Sequence, residues 1–75
     1  MKELIEYIAK SIVNNPDAVV VTEEQTENGI LVKLQVADED KGRVIGKQGR
    51  IAEAMRTLMR VKAAKQETRA TLEIL

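Results

Sequence analysis

Apolar side chains recur at helical spacing from the start of the chain. Leu4, Ile5, Ile8, Ala9, Ile12 and Val13 share one face, with Lys2, Glu3, Glu6 and Lys10 between them, so the periodicity predicts an amphipathic helix over residues 2–14. Asn14-Asn15-Pro16 stops it, because proline cannot continue a helix and biases its predecessor toward extended backbone. The segment from Ala18 to Gln25 is rich in β-branched residues. Ile30, Val32, Leu34 and Val36 then alternate with Lys33 and Gln35, with only Leu31 out of phase. Both segments predict strands, and Asn28-Gly29 between them supplies the positive φ angles of a tight hairpin, which makes the pair antiparallel. Asp38 is placed to N-cap a short helix running through Ile45, with Glu39 and Asp40 at its positive end. Gly46 ends that helix and a longer one follows from about Gly49 to Ala64. Ala70, Leu72 and Ile74, alternating with Thr71 and Glu73, predict a last strand. The order is α-β-β-α-α-β, an α+β arrangement in one domain over residues 1–75, with no linker, low-complexity tract or internal repeat.

Composition narrows what such a domain can do. The chain has 75 residues with no Cys and no His, which removes disulfide frameworks, Cys/His zinc sites, thiol nucleophiles and imidazole chemistry. Thr57, Ser11 and Thr68 therefore have no partner base, so no enzyme activity, cofactor, metal or small-molecule substrate is expected. The longest unbroken apolar run is Ala18-Val19-Val20-Val21, far short of the ~18 residues of a membrane span, and Met1-Lys2-Glu3-Leu4 opens no signal-peptide pattern. A cytoplasmic location is the expectation. A core this small supplies only about 3–5 kcal/mol, which makes oligomerisation the cheapest added stabilisation.

Net charge is zero, yet the two halves differ. Residues 1–40 carry three basic and nine acidic side chains, whereas Lys41, Arg43, Lys47, Arg50, Arg56, Arg60, Lys62 and Lys65 stand against Glu53 alone in residues 41–65. Clustered cations of this kind displace counterions from a phosphate backbone. They equally describe a solvated helix face, and charge alone does not choose.

The chemistry concentrates where the two later helices meet, in Val44-Ile45-Gly46-Lys47-Gln48-Gly49-Arg50. Glycine at both ends of so short a connection permits left-handed backbone and lets another backbone approach closely. The following helix begins with unpaired N–H groups and a positive dipole end, a setting that suits phosphate, and Lys47, Arg50 and Arg43 add mobile positive charge. The spelling Gly-Lys-Gln-Gly is not the G-x-x-x-x-G-K-[ST] of nucleotide-binding loops, and no strand leads directly into it.

G-x-x-G between two helices, preceded by Val-Ile, resembles the KH RNA-binding domain, whose loop clamps about four nucleotides by their backbone. The element order is similar to its type II arrangement, a three-stranded mixed sheet backed by three helices, and the resemblance spans nearly the whole chain. A free-standing domain with Gly42 to Ile51 intact resembles the KhpA family of small bacterial KH proteins. The resemblance implies cytoplasmic RNA binding, self-association into a homodimer, and a heteromer with a larger KH protein of the KhpB type. It also implies a post-transcriptional regulator or RNA chaperone linked to cell elongation and division. RNA contact is then expected at Gly46, Lys47, Gln48, Gly49, Arg50, Arg43, Val44, Ile45 and Ile51. One position departs from many members: Ala52 stands three residues after the second glycine, with Ile51 one earlier, so the packing beneath the groove is expected to differ.

Tyr7 is the only aromatic residue and lies on the first helix, so base stacking is not the main affinity term. An aliphatic groove lined by Val44, Ile45, Ile51 and the last strand, with backbone held at the loop, discriminates bases poorly, since phosphate contacts position a strand without reading it. Weak, low-specificity binding is expected. Asp38-Glu39-Asp40 reads as capping rather than as a cation site, Gly42 as a close approach of RNA or of the neighbouring helix, and Met55 and Met59 as core or interface residues. Ile51, Ala52, Ala54, Met55, Leu58, Met59, Val61 and Ala63 cover about 200° of the long helix, more than one core needs. Leu58, Val61 and Lys62 are the expected dimer interface; the alternative is that the first helix covers the surplus. A second function stays open, a protein-interaction module in which the KH shape serves dimerisation and RNA contact is incidental.

Overall fold

The computed structural model describes all 75 residues. Helix α1 spans Lys2–Ile12, strands β1 and β2 span Val20–Thr26 and Gly29–Gln35, helices α2 and α3 span Lys41–Ile45 and Arg50–Lys65, and strand β3 spans Ala70–Ile74. Single 3-10 turns occupy Pro16–Ala18, Asp38–Asp40 and Lys47–Gly49. The sheet order is β1-β2-β3, antiparallel between the first pair and parallel between the second. The expected α+β arrangement is present, with the return from β2 to parallel β3 made through α2 and α3.

Strand alternation sorts the sheet into two faces. Val21, Val32, Leu34 and Leu72 point into the core beside Ile5 and Ala9 of α1, Val44 of α2, and Met55, Met59 and Ala63 of α3. The opposite face carries Thr22, Lys33 and Glu73 in one cross-strand row and Glu24, Leu31 and Thr71 in the next. Leu31, out of phase in the sequence, is therefore a half-buried residue of the open face.

Several boundaries differ from the sequence expectation, each for a local reason. Helix α1 ends at Ile12 rather than residue 14, because Val13 is extended at φ −96° and ψ 159°. Strand β1 begins at Val20 rather than Ala18, because Pro16 starts a 3-10 turn that uses Asp17 and Ala18. The hairpin turn consists of Glu27 and Asn28, with Thr26 opposite Gly29; only Gly29 has positive φ, 126°, while Asn28 does not. Glycine is required there because a Cβ would run into the Arg69 carbonyl oxygen, the acceptor of the Ile30 N–H at 2.8 Å.

Asp38 is not an N-cap. It is itself the first residue of a 3-10 turn, Asp38–Asp40, that has no side-chain capping bond, and helix α2 starts only at Lys41. Asp38 pairs instead with Lys41 at 3.5 Å. Asp40 turns inward and is the one buried charged side chain. Its carboxylate accepts the N–H groups of Asn14 at 3.1 Å and Asn15 at 3.0 Å, and the Asn15 side-chain amide at 3.0 Å. Backbone donors of the segment that follows α1 are thus satisfied by the residue just ahead of α2, which ties the two helices together.

Candidate nucleic-acid interface

Helix α2 has only five residues, and what ends it defines the site. Gly46 takes φ 79° and ψ 172°, and a Cβ at this position would lie 2.6 Å from Cγ1 of Ile51. The chain thus turns directly over Ile51, closer than any other residue type allows. Gln48 follows at φ 57° and Gly49 at φ 74°. Three of the four loop residues therefore have positive φ, and one of them is not glycine. Nothing lies within 4 Å of a Cβ on Gly49, so its requirement is conformational alone. The Gly49 N–H donates to the Gly46 carbonyl at 3.1 Å and closes the loop on itself.

The side chains around it divide by environment. Lys47 and Gln48 project into solvent. Arg50 is also exposed and donates from Nη2 to Oε1 of Gln48 at 3.3 Å. Arg43 is partly neutralised, with Nε 3.8 Å from the Asp40 carboxylate. Ile45 is exposed beside the loop and Ile51 half-buried beneath it. Val44 does not belong to this surface: it is fully buried among the core residues, so its role is to anchor α2. No neighbouring helix approaches Gly42, where a Cβ would meet nothing within 4 Å. Ala52 is buried, so the small residue faces the core while Ile51 takes the place beneath the loop.

A groove walled by arginines lies between α3 and β3. Arg56, Arg60, Ala70, Thr71 and Leu72 line one part of it, and Arg60, Ala63, Thr68, Arg69, Ala70 and Thr71 the next. No loop residue lines either part. Arg60 donates to Glu53 Oε1 at 3.1 Å, whereas Arg56 and Arg69 enter no ion pair. The sequence pattern places Arg56 and Arg60 in a basic run and singles out no role for Arg69. Helical spacing of Arg56 and Arg60 on one flank was the available signal; Arg69 is brought to them only by the turn into β3.

Comparison with known proteins agrees with this architecture. The family model of the KhpA/KhpB KH domain matches residues 2–74. The chain belongs to this family. It is 52% identical over all 75 residues to the RNA-binding protein KhpA of Caldanaerobacter subterraneus subsp. tengcongensis and to that of Clostridium acetobutylicum, covering each from end to end. The RNA-binding protein KhpA of Listeria monocytogenes is 49% identical, with the whole of this chain and 99% of the relative aligned. The residues expected at a dimer interface are exposed. Leu58 and Val61 are 47% and 54% exposed on α3, and Lys62 is exposed beside them. Helix α1 leaves this surplus uncovered. No helix is long and apolar enough to cross a membrane.

Proposed function

We propose that this protein is a non-enzymatic RNA-binding protein that holds the backbone of single-stranded RNA at the Gly46-Lys47-Gln48-Gly49 loop with low sequence specificity. The observation that carries the reading is the loop itself. Positive φ at Gly46, Gln48 and Gly49 folds the chain tightly onto Ile51 and leaves Lys47 and Gln48 exposed. A nucleic-acid backbone can therefore approach the protein backbone without side chains in the way, and the start of α3 presents its positive end to a phosphate. The names of the relatives point the same way. Arg43, Lys47 and Arg50 add electrostatic attraction, and Ile45 and Ile51 the aliphatic contact.

The chain forms a dimer with a second copy through Leu58, Val61 and Lys62, and a heteromer with a larger KH protein of the KhpB type. The setting is the cytoplasm, where the protein acts on transcripts as a regulator or chaperone in cell elongation and division. Exposure of Leu58 and Val61 supports the first of these statements, and family membership supports the others.

Replacing Lys47 and Gln48 together by Asp tests the loop. Two negative charges placed against phosphate lower RNA affinity by roughly ten-fold or more, while circular dichroism stays unchanged because both side chains are exposed. Undiminished RNA binding by the folded double variant in a gel-shift titration removes the loop from the mechanism.

A further inference from the structure

Asp40 is the one charged side chain that the fold buries, and it stands immediately ahead of α2, whose last residue, Ile45, leads into Gly46. A helix of five residues does not hold its own conformation in water, because nucleation costs more than so few backbone bonds return. The angle at which α2 delivers the chain into the loop is therefore set by tertiary contacts. Val44, fully buried, pins one end of α2 in the core. Asp40 pins the other, through the N–H groups of Asn14 and Asn15 and the side-chain amide of Asn15. One pinned side chain leaves a short helix free to swing about it, whereas two pins a helical turn apart do not.

Asn15 does more than complete the shell of that carboxylate. Its side-chain amide donates to Glu39 as well as to Asp40, so one half-buried side chain of the α1–β1 connection holds both residues that lead into α2. Asp40 also touches the site itself. Its Oδ1 lies 3.8 Å from Nε of Arg43, which leaves the terminal nitrogens of that guanidinium for a phosphate. The loop needs such support. Gln48 holds a positive φ of 57° without being glycine, a conformation that persists only where the surroundings over-determine it. Its flanks are α2 and α3, so a tilt of α2 relaxes the loop.

We propose that Asp40 and Asn15 are positioning residues for the Gly46–Gly49 loop: the tie between the α1–β1 connection and α2 fixes the entry into the loop and so pre-forms the clamp. The inference rests on the RNA reading above and extends it to Asn15, which lies outside the expected contact surface.

Asn15→Ala is the variant to test, because it removes the side-chain amide and leaves Asp40 both backbone donors. Asp40→Asn, which neutralises the carboxylate, is its companion, and Asn15→Ala decides alone if that protein does not fold. Val21→Ala, a truncation of the core in β1, controls for a general loss of stability. Well below the melting temperatures, a residue that only stabilises the fold changes neither the loop nor the affinity. Hydrogen exchange of the Gly49 amide, which closes the loop on the Gly46 carbonyl at 3.1 Å, reads the loop without RNA. Asn15→Ala accelerates it roughly three-fold relative to Val21→Ala. An oligouridylate of about four nucleotides, titrated by fluorescence anisotropy, binds roughly three-fold more weakly to Asn15→Ala and more weakly still to Asp40→Asn, but normally to Val21→Ala. Unchanged Gly49 exchange in Asn15→Ala, or an equal acceleration in Val21→Ala, overturns the proposal. The Lys47→Asp, Gln48→Asp protein separates the two readings. Reduced affinity in it beside undiminished affinity in Asn15→Ala overturns the positioning role, whereas undiminished affinity in it faults the loop reading and leaves Gly49 exchange to judge the tie.

Discussion

At the scale of single residues, Asp40 shows how much depends on where a carboxylate points. Burial by itself pushes its carboxyl up, but the donors from Asn14 and Asn15 and the Arg43 guanidinium outweigh that and hold it below the ordinary aspartate value of 3.8. A folded-state value below the unfolded one adds stability that is complete above the unfolded value and is lost as pH falls through the folded one. Asp40→Ala leaves buried N–H donors without an acceptor and should lower the melting temperature by roughly 10 °C near neutral pH. For Asp40→Asn, the melting-temperature deficit should shrink as pH is lowered below about 4; a deficit independent of pH argues against the ionised carboxylate as the acceptor. Gly42 gives the opposite sign. It lies in α2 with open space around a Cβ and without positive φ, so Gly42→Ala should stabilise the fold by about 0.4–1 kcal/mol. A gain in melting temperature together with lost RNA affinity identifies Gly42 as a point of close backbone approach; a loss of stability contradicts the geometry. Asp38, Glu39 and Asp40 look alike in sequence, and only packing against the end of α1 distinguishes them.

At the scale of elements, α3 works on three sides. Ala52, Met55, Met59 and Ala63 face the core, Arg56 and Arg60 line the groove, and Ala54, Leu58, Val61 and Lys65 form an exposed stripe at helical spacings of three and four. At 100° per residue the stripe is centred about 150° from the groove flank. A second α3 packed on it would leave that groove open. Val61→Asp should therefore convert a dimer to a folded monomer in sedimentation equilibrium, with little change in monomer stability, because the carboxylate is exposed once the partner leaves. An unaltered chain that is monomeric at tens of micromolar overturns the dimer. A folded monomeric variant that has lost RNA binding shows that the groove needs both chains. The wide apolar arc was legible in the sequence from periodicity alone. That α1 does not cover it was not, because α1 meets the sheet and α2 instead, through contacts distant in sequence.

At the scale of the whole molecule, zero net charge is a poor guide to behaviour. The acidic residues of β1 lie on an edge strand across the sheet from β3, while the cations gather on α2, α3 and the turn into β3. Binding to single-stranded RNA should weaken with salt at a log-log slope of roughly −1.4 to −3, corresponding to two to four phosphates at about −0.7 each. A slope near zero, measured by titrations from low to physiological salt, means that the basic run is only a solvated helix face.

What the sequence determined alone was everything carried by local pattern. Alternation, β-branched content, helical periodicity and stop signals specified six elements and their order, glycine spacing located the loop, and the missing Cys and His excluded whole classes of chemistry. What only the tertiary structure decided were properties that depend on residues far apart in the chain. The left-handed Gln48 is imposed by closure of the loop between two packed helices, since no propensity selects that geometry for glutamine. The burial of Val44 and Asp40 follows from how α2 seats against α1 and the core. The Arg56–Arg60–Arg69 groove exists because the chain reverses after α3 and lays β3 beside it. Local propensity acts over a few residues, whereas a binding wall is assembled by the fold, which brings together side chains that no sequence window contains.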